Sequence, residues 1–176
     1  EGPILRNSVY LGEVVDARRE QAGWDKPGFD DSRWRAPAIA KEPVGRLVGQ
    51  PQPPIRITKQ WQAVKVTQPK PGVFVYDCGV NFSGWTRLQL DVARGTEIRL
   101  RYGELLYPDG TLNPMTSVAG QVKGVQQDTG ESIGGPGAPP IAWQADTYIA
   151  RGGGESYTPR FTWHGFRYVE ISGLPA

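Results

Sequence analysis

Short stretches in which apolar and polar residues alternate recur along most of the chain. Within residues 96–106, TEIRLRYGELL, the apolar Ile98, Leu100 and Tyr102 alternate with charged residues. A period of two is typical of a strand that buries one face and leaves the other in water. By the same pattern, further strands are predicted at residues 53–68, 72–79, 85–92, 146–150, 156–162 and 166–172.

Two of these strands allow more detailed expectations. In residues 166–172, Phe166, Tyr168 and Ile171 are expected to point inward, while Arg167 and Glu170 stay in water. The stretch 91–95, DVARG, is short and ends in glycine, so it is predicted to form a hairpin-like turn between the strands on either side.

The chain shows little helical periodicity. No window of ten or more residues carries a sustained i, i+3, i+4, i+7 apolar stripe free of glycine and proline. Residues 9–21 are the nearest candidate, and they can equally form a strand. Short strands that follow one another at roughly 8–12 residues, with turn residues between them, predict an all-β antiparallel β-sandwich or jelly roll.

The expected organisation is a leading segment, residues 1–21, that joins a sandwich formed by residues 22–176. A loop is inserted at about residues 115–143. A loop of about 20 residues in a compact domain usually has a function or is disordered. Its amides and its aromatic residue suit sugar binding or contact with another domain, and the alternative is a packed Ω-like loop. The sugar-binding candidates here are Gln121, Lys123, Trp143 and Gln144.

Composition excludes several functions. The net charge is +2 and the basic residues do not cluster, so nucleic-acid binding is not expected. No apolar run approaches the ~20 residues that a membrane span needs. Cys78 is the single cysteine, so no intrachain disulfide can form, and His164 is the single histidine, so neither a histidine-rich metal site nor a histidine-based triad is expected.

Residues 22–37, AGWDKPGFDDSRWRAP, combine tryptophans with carboxylates, as many sugar sites do. The prolines, glycines and paired aspartates also suit a turn, in which Asp30 and Asp31 bond to nearby backbone groups. We therefore expect Trp34 to anchor the turn on the core. Trp24 precedes the turn and remains a candidate sugar contact.

Two other places offer oxygen ligands. Asp109 and Asn113, in YPDGTLNP at the base of the long loop, either form a turn or contact a sugar or calcium. Glu13 and Asp16 are the second candidate pair for calcium. Neither place has the dense oxygen spacing of a known calcium loop.

Catalytic residues are not identifiable in the chain. Glycoside hydrolysis needs two carboxyl groups that flank the sugar, and Glu97, Glu104 and Asp109 fit better as solvated surface groups. His164, at a turn, is expected to be a hydrogen-bonded turn or interface residue. Asn81, in DCGVNFSGW, belongs either to a structural corner or to a sugar cleft.

The segments DCGVNFSGW, YGELLYPDGTLNP, DTYIARGGGESYTPRF and HGFRYVEISG, in this order, resemble the accessory β-sandwich region of bacterial α-L-rhamnosidases. The resemblance implies a non-catalytic, carbohydrate-binding module whose partners are rhamnose-containing glycans and the catalytic (α/α)6 barrel of the family. It also implies possible use of calcium and favours a secreted or periplasmic location. The alternative is a structural sandwich that supports the barrel and binds no sugar by itself.

Overall fold

The computed structural model describes residues 2–41, 44–118 and 142–175, together with the backbone of 124–125 and 132–133. The chain divides into two compact units, Glu1–Glu20 with Gln62–Ala176, and Gln21–Trp61. The described part of the chain contains no helix of the length and apolarity that a membrane crossing requires.

The described residues form thirteen strands and no α-helix. In chain order the strands are β1 Ile4–Ser8, β2 Gly12–Asp16, β3 Lys65–Lys70, β4 Val73–Gly84, β5 Leu88–Val92, β6 Glu97–Gly103, β7 Leu105–Leu106, β8 Leu112–Asn113, β9 Gly124–Val125, β10 Ser132–Ile133, β11 Ala145–Ile149, β12 Gly153–Tyr157 and β13 His164–Ser172. Short 3₁₀ turns occur at Ala17–Arg19 and Pro114–Ser117.

Seven strands form the main sheet, in the order β1-β2-β11-β6-β13-β4-β3. All neighbours in it are antiparallel except β2 and β11, which run parallel. Residues 4–16, within the segment predicted to lead into the sandwich, thus lie in the sheet itself. The pairs β5–β12, β7–β8 and β9–β10 form three small ribbons.

The core lies between the main sheet and the β5–β12 ribbon. Ile98, Leu100 and Tyr102 of β6 are fully buried, as their alternation predicts. Leu88 and Leu90 of the ribbon pack against this cluster. Two β layers around one apolar core make a sandwich, so the all-β expectation is confirmed, with one parallel pair in the sheet.

The turn at residues 91–95 joins the two layers and is not a hairpin. β5 pairs with β12 and β6 pairs with β11 and β13, so the strands flanking the turn do not pair with each other. The backbone N–H of Gly95 donates to Ala150 O at 2.8 Å, which ties the turn to the end of β11. The hairpin prediction is wrong because a short turn can also carry the chain from one layer to the other.

The inward face of β13 differs from the simple alternation. The pairing with β4 shifts register between Phe166 and Tyr168, and Phe166, Val169 and Ile171 are the buried apolar residues of the strand. Phe166 pairs with Phe82 and Tyr168 with Asp77, so β13 advances two residues across the shift while β4 passes five, and the facing of β13 changes there. Tyr168 is therefore only half-buried, in contrast to the prediction. Glu170 lies opposite Arg101, on the face away from the core, but it is buried and paired with that arginine, so its predicted exposure is wrong.

The predicted strand at 53–68 is mostly absent, because β3 begins only at Lys65. Ile55 and Ile57 are exposed and pair with no strand among the described residues. An alternating pattern forms a strand only where a neighbouring strand can accept its hydrogen bonds. The strand predicted at 72–79, by contrast, continues to Gly84.

In the unit Gln21–Trp61, the expectation that Trp34 anchors its turn on the core is wrong. Its side chain is 48% exposed, so it is not a core residue. It contacts Phe29, with ring centroids 5.5 Å apart, and its Nε1 donates to Gln21 Oε1 at 3.0 Å. Asp30 accepts from Ser32 N at 3.0 Å, which confirms it as a turn-forming residue.

Replacing Gly12 by alanine is expected to destabilise the sheet by at least about 2 kcal/mol. Gly12 has φ +87°, and a Cβ there would lie 2.0 Å from Ala145 O, at the contact between β2 and β11. Chemical unfolding monitored by tryptophan fluorescence measures the loss. Gly154→Ala is the matched control, because no atom lies within 4 Å of its Cβ position. Equal stabilities of the two variants would contradict the prediction.

Candidate functional site

A cleft of about 190 Å³ opens on the face of the main sheet opposite the sandwich core. Three short elements supply its walls: β6, the 3₁₀ turn Pro114–Ser117, and the segment leading into β11. The residues that line it are Arg99, Arg101, Pro114, Ser117, Trp143 and Gln144. Trp143 is 37% exposed, so part of its indole ring is available to a ligand.

The arginines reach this face because β6 alternates. Ile98, Leu100 and Tyr102 point into the core, so Arg99 and Arg101 point away from it. The Arg101 guanidinium is held by the buried carboxylate of Glu170, with Nη2 2.6 Å and Nε 2.8 Å from Oε1. One cation of the cleft is thereby fixed in position.

The 3₁₀ turn that forms another wall is capped and anchored by its own residues. Asn113 Oδ1 accepts from Met115 N at 3.1 Å, and Pro114 supplies the fixed φ of the first position. Thr116 Oγ1 accepts from Glu104 N at 2.9 Å, and Ser117 Oγ donates to Tyr102 O. These bonds attach the turn to the end of β6.

Beneath the cleft, Gln144 contacts a buried histidine. Its Oε1 lies 3.1 Å from Nδ1 of His164, whose side chain is fully buried. The other ring nitrogen, Nε2, lies 3.1 Å from Asp146 Oδ2. The imidazole stacks on the Tyr102 ring, with centroids 4.0 Å apart. His164 is thus hydrogen-bonded on both sides.

Asp146 is the centre of this buried network. Its carboxylate accepts from the Tyr102 hydroxyl at 2.6 Å and from Glu13 N at 2.8 Å, in addition to the contact with His164. Burial and the neighbouring Asp146 raise the pKa of Tyr102 well above its ordinary value, so its hydroxyl stays protonated and donates. Thr86 Oγ1 lies 2.8 Å from the same hydroxyl.

Glu13 and Asp16 have different partners in the structure. Glu13 accepts from Asn7 Nδ2 at 3.0 Å and from the Tyr157 hydroxyl at 3.3 Å. Asp16 pairs with Arg18, and the hydrogen bonds from that side chain are the main reason that its pKa falls to about 2. The described residues bring no three His, Cys, Asp or Glu side chains together as a metal site. Calcium binding by Glu13 and Asp16 stays a prediction.

Of the sugar-binding candidates among the described residues, Trp143 and Gln144 line the cleft. Asp109 accepts from Thr111 N at 3.0 Å and from Thr111 Oγ1 at 2.6 Å, so it forms a turn. Asn113 caps the 3₁₀ turn, and Trp24 is an exposed residue of the unit Gln21–Trp61. Gln121 and Lys123 lie outside the described residues.

Sequence reasoning missed Asp146, Arg99 and Arg101. Asp146 shares the inward face of β11 with Tyr148, and the buried Ala150 continues the alternation just after the strand, so its position was an available indication of a buried carboxylate. The two arginines stood on the outward face of a predicted strand. No local feature of the sequence distinguishes these two arginines from charged residues that are simply exposed to water.

Asn81, the candidate for a sugar cleft, does not line the cleft, and its Nδ2 donates to Glu104 Oε1 at 3.1 Å.

The chain resembles known proteins over nearly its whole length. Residues 67–176 match the bacterial alpha-L-rhamnosidase concanavalin-like domain, and residues 1–59 match the alpha-L-rhamnosidase N-terminal domain. An alpha-L-rhamnosidase of Streptomyces avermitilis is 43% identical over 176 residues, which are 99% of this chain and 15% of that protein. One of Alteromonas sp. is 31% identical over 175 residues, 98% of this chain and 16% of that protein.

Solved structures agree with this assignment. The alpha-L-rhamnosidase from Dictyoglumus thermophilum has a TM-score of 0.82 and 44% identity, over 99% of this chain and 18% of that one. The Streptomyces avermitilis alpha-L-rhamnosidase complexed with L-rhamnose also has a TM-score of 0.82, with 43% identity over 99% of this chain and 15% of that one.

These comparisons and the fold define a concanavalin-like β-sandwich domain. The chain belongs to the bacterial alpha-L-rhamnosidase family, and it corresponds to a domain outside the catalytic region. It spans 15% to 18% of the length of the relatives named above.

Replacing Tyr102 by phenylalanine removes one donor from the buried carboxylate of Asp146. Leaving a buried polar group short of a partner costs about 1–3 kcal/mol, so we expect a loss of that size in the free energy of unfolding. Thermal and urea unfolding measure it. Tyr107→Phe is the control, because the Tyr107 side chain is exposed. If the Tyr102→Phe variant is as stable as this control, the hydrogen bond from the Tyr102 hydroxyl to Asp146 does not stabilise the fold.

Proposed function

We propose that the chain is a non-catalytic carbohydrate-recognising module of an alpha-L-rhamnosidase, and that its cleft holds a rhamnose-containing glycan. The observation that carries the proposal is the partly exposed indole of Trp143 in a concave site beside the Gln144 amide. Sugar sites combine an aromatic surface with a few placed polar groups.

The chemistry of the cleft suits a deoxysugar such as L-rhamnose. Its methyl group and ring C–H groups can lie against the indole of Trp143. The guanidinium groups of Arg99 and Arg101 and the amide of Gln144 can donate to its hydroxyls. The crystallised Streptomyces avermitilis relative is described as complexed with L-rhamnose, which supports this choice of sugar.

A second candidate function is support of the catalytic barrel without sugar binding. It is favoured by the unit Gln21–Trp61, in which apolar side chains are uncovered: Ile39, Val44 and Leu47 are almost fully exposed. Large exposed apolar groups commonly mark protein–protein contact. The relatives are several times longer than this chain, so further domains exist in them that could cover such a segment.

Sugar binding is tested by calorimetric titration with L-rhamnose, with added calcium and with a chelator. The small size of a monosaccharide leads us to expect a Kd of roughly micromolar to millimolar. Trp143→Ala should remove the binding heat, because stacking on the indole is lost. Trp24→Ala, which removes an exposed tryptophan outside the cleft lining, should leave it intact.

Two results would count against the proposal. Equal binding by Trp143→Ala and the unchanged chain would exclude the cleft as the site. No heat at sugar concentrations well above the millimolar range would favour the supporting role. A dependence on calcium that persists in Trp143→Ala would indicate a site elsewhere in the chain.

The chain is also expected not to hydrolyse an aryl α-L-rhamnoside. Glycosidases place two carboxyl groups about 5–10 Å apart across the scissile bond. The described residues that line the cleft include no carboxylate, and Glu170 behind it is paired with Arg101. Release of the coloured aglycone should equal that of a heat-denatured sample. A rate proportional to protein concentration would contradict this.

A further inference from the structure

The cleft carries more positive than negative charge. Arg99 and Arg101 line it, and no carboxylate does so among the described residues. An arginine side chain stays charged at every pH at which a protein is folded. Because a concave site with walls of low dielectric concentrates the field of its charges, such a lining attracts anions. The charge of the cleft therefore indicates a property of its ligand that the aromatic Trp143 does not.

The two arginines differ in how far the chain neutralises them. Arg101 is held by the buried ion pair described above. Arg99 is exposed, and the residues opposite it in the sheet, Thr147 of β11 and Ser172 of β13, are uncharged. Within the described ranges no carboxylate forms an ion pair with Arg99. Glu97 stands two residues before it on the same face of β6 and does not line the cleft.

A sugar acid matches both chemical features of the cleft. A guanidinium group is planar, and its N–H groups bind the two oxygens of a carboxylate as a fork. The C–H face of a sugar ring lies well against an indole such as that of Trp143. The cleft, at about 190 Å³, is smaller than the ~300–1,000 Å³ pockets of drug-sized ligands, so we expect it to hold one sugar unit. A neutral sugar would leave the charge of Arg99 unmatched.

We propose that the cleft selects a uronate unit of an acidic, rhamnose-containing glycan, with the carboxylate of that unit on Arg99 and its ring against Trp143. The proposal rests on the function proposed above, in which the cleft holds such a glycan. Arg101 belongs to the same wall. Its side chain stays 33% exposed although Glu170 binds it, so its remaining N–H groups can donate to a sugar oxygen. The ligand class is thus a sugar acid, with a negative charge that a neutral monosaccharide lacks.

The first experiment is a calorimetric comparison of sugars that differ only in the carboxylate. D-Galacturonate and D-glucuronate carry it where D-galactose and D-glucose carry a hydroxymethyl group. We expect at least one uronate to bind about tenfold to hundredfold more tightly than its neutral counterpart, because a hydrogen-bonded ion pair is added. Raising the NaCl concentration from about 50 mM to about 500 mM should weaken uronate binding several-fold, because salt screens that pair. Sodium acetate, a carboxylate without a ring, should bind at least about tenfold more weakly than the uronate.

The second experiment removes the exposed cation. Arg99→Gln should reduce uronate affinity at least about tenfold and L-rhamnose affinity by about threefold or less, with the unfolding midpoint unchanged. Arg99→Lys keeps the charge and loses the fork, so it should retain only part of the affinity. Arg87→Gln is the matched control, because Arg87 is exposed and adjoins β5, in the layer on the other side of the core. Arg101 stays unchanged, since its loss would leave the buried Glu170 without its cation.

The outcomes separate this inference from the function on which it rests. Uronates that bind no more tightly than their neutral counterparts, while L-rhamnose binds in a Trp143-dependent way, would overturn the inference and leave the proposed function intact. Equal uronate affinities of Arg99→Gln and Arg87→Gln would also overturn it, as would acetate binding as tight as uronate binding. Uronate binding that depends on Arg99 and Trp143, without heat from L-rhamnose, would support the inference and refute a rhamnose unit in this cleft. No heat from any of these sugars well above millimolar concentration would overturn both.

Discussion

The fold depends on the complete hydrogen bonding of one buried carboxylate, that of Asp146. A charge removed from water is costly unless donors surround it. Here the donors come from Glu13 of β2, Tyr102 of β6 and His164 of β13, and these strands lie beside β11 in the order β2-β11-β6-β13. A shift of any of them by one residue would remove a donor, so the carboxylate fixes the register of four adjacent strands.

The same network determines how rigid the cleft is. Gln144 stands directly before β11 and rests on His164, while Arg101 is held by Glu170 across the neighbouring strand. A site whose polar groups are fixed before the ligand arrives loses less conformational entropy on binding. The cleft thus takes its preorganisation from core chemistry, although it lies on the opposite face of the sheet.

Sequence reasoning succeeded where the relevant physics is local. The alternation of β6 places Ile98 and Leu100 correctly, because the period of two is a property of any half-buried strand. It failed at β13, where the pairing with β4 shifts register beside Arg167, whose guanidinium makes a bidentate contact with Asp77 of β4 at 2.9 Å for both bonds. It failed for Trp34 as well, since burial of a turn aromatic depends on what covers it.

By the same reasoning, four of the predicted sugar-binding residues fall into two groups, those that form turns and those that line the cleft. Asp109 and Asn113 occupy turns, and a turn consumes side-chain oxygens because its backbone N–H groups need acceptors. Trp143 and Gln144 directly precede a paired strand, and the Trp143 side chain is 37% exposed. The oxygens of these two turn residues are therefore engaged by the chain itself, whereas Trp143 and Gln144 line the cleft.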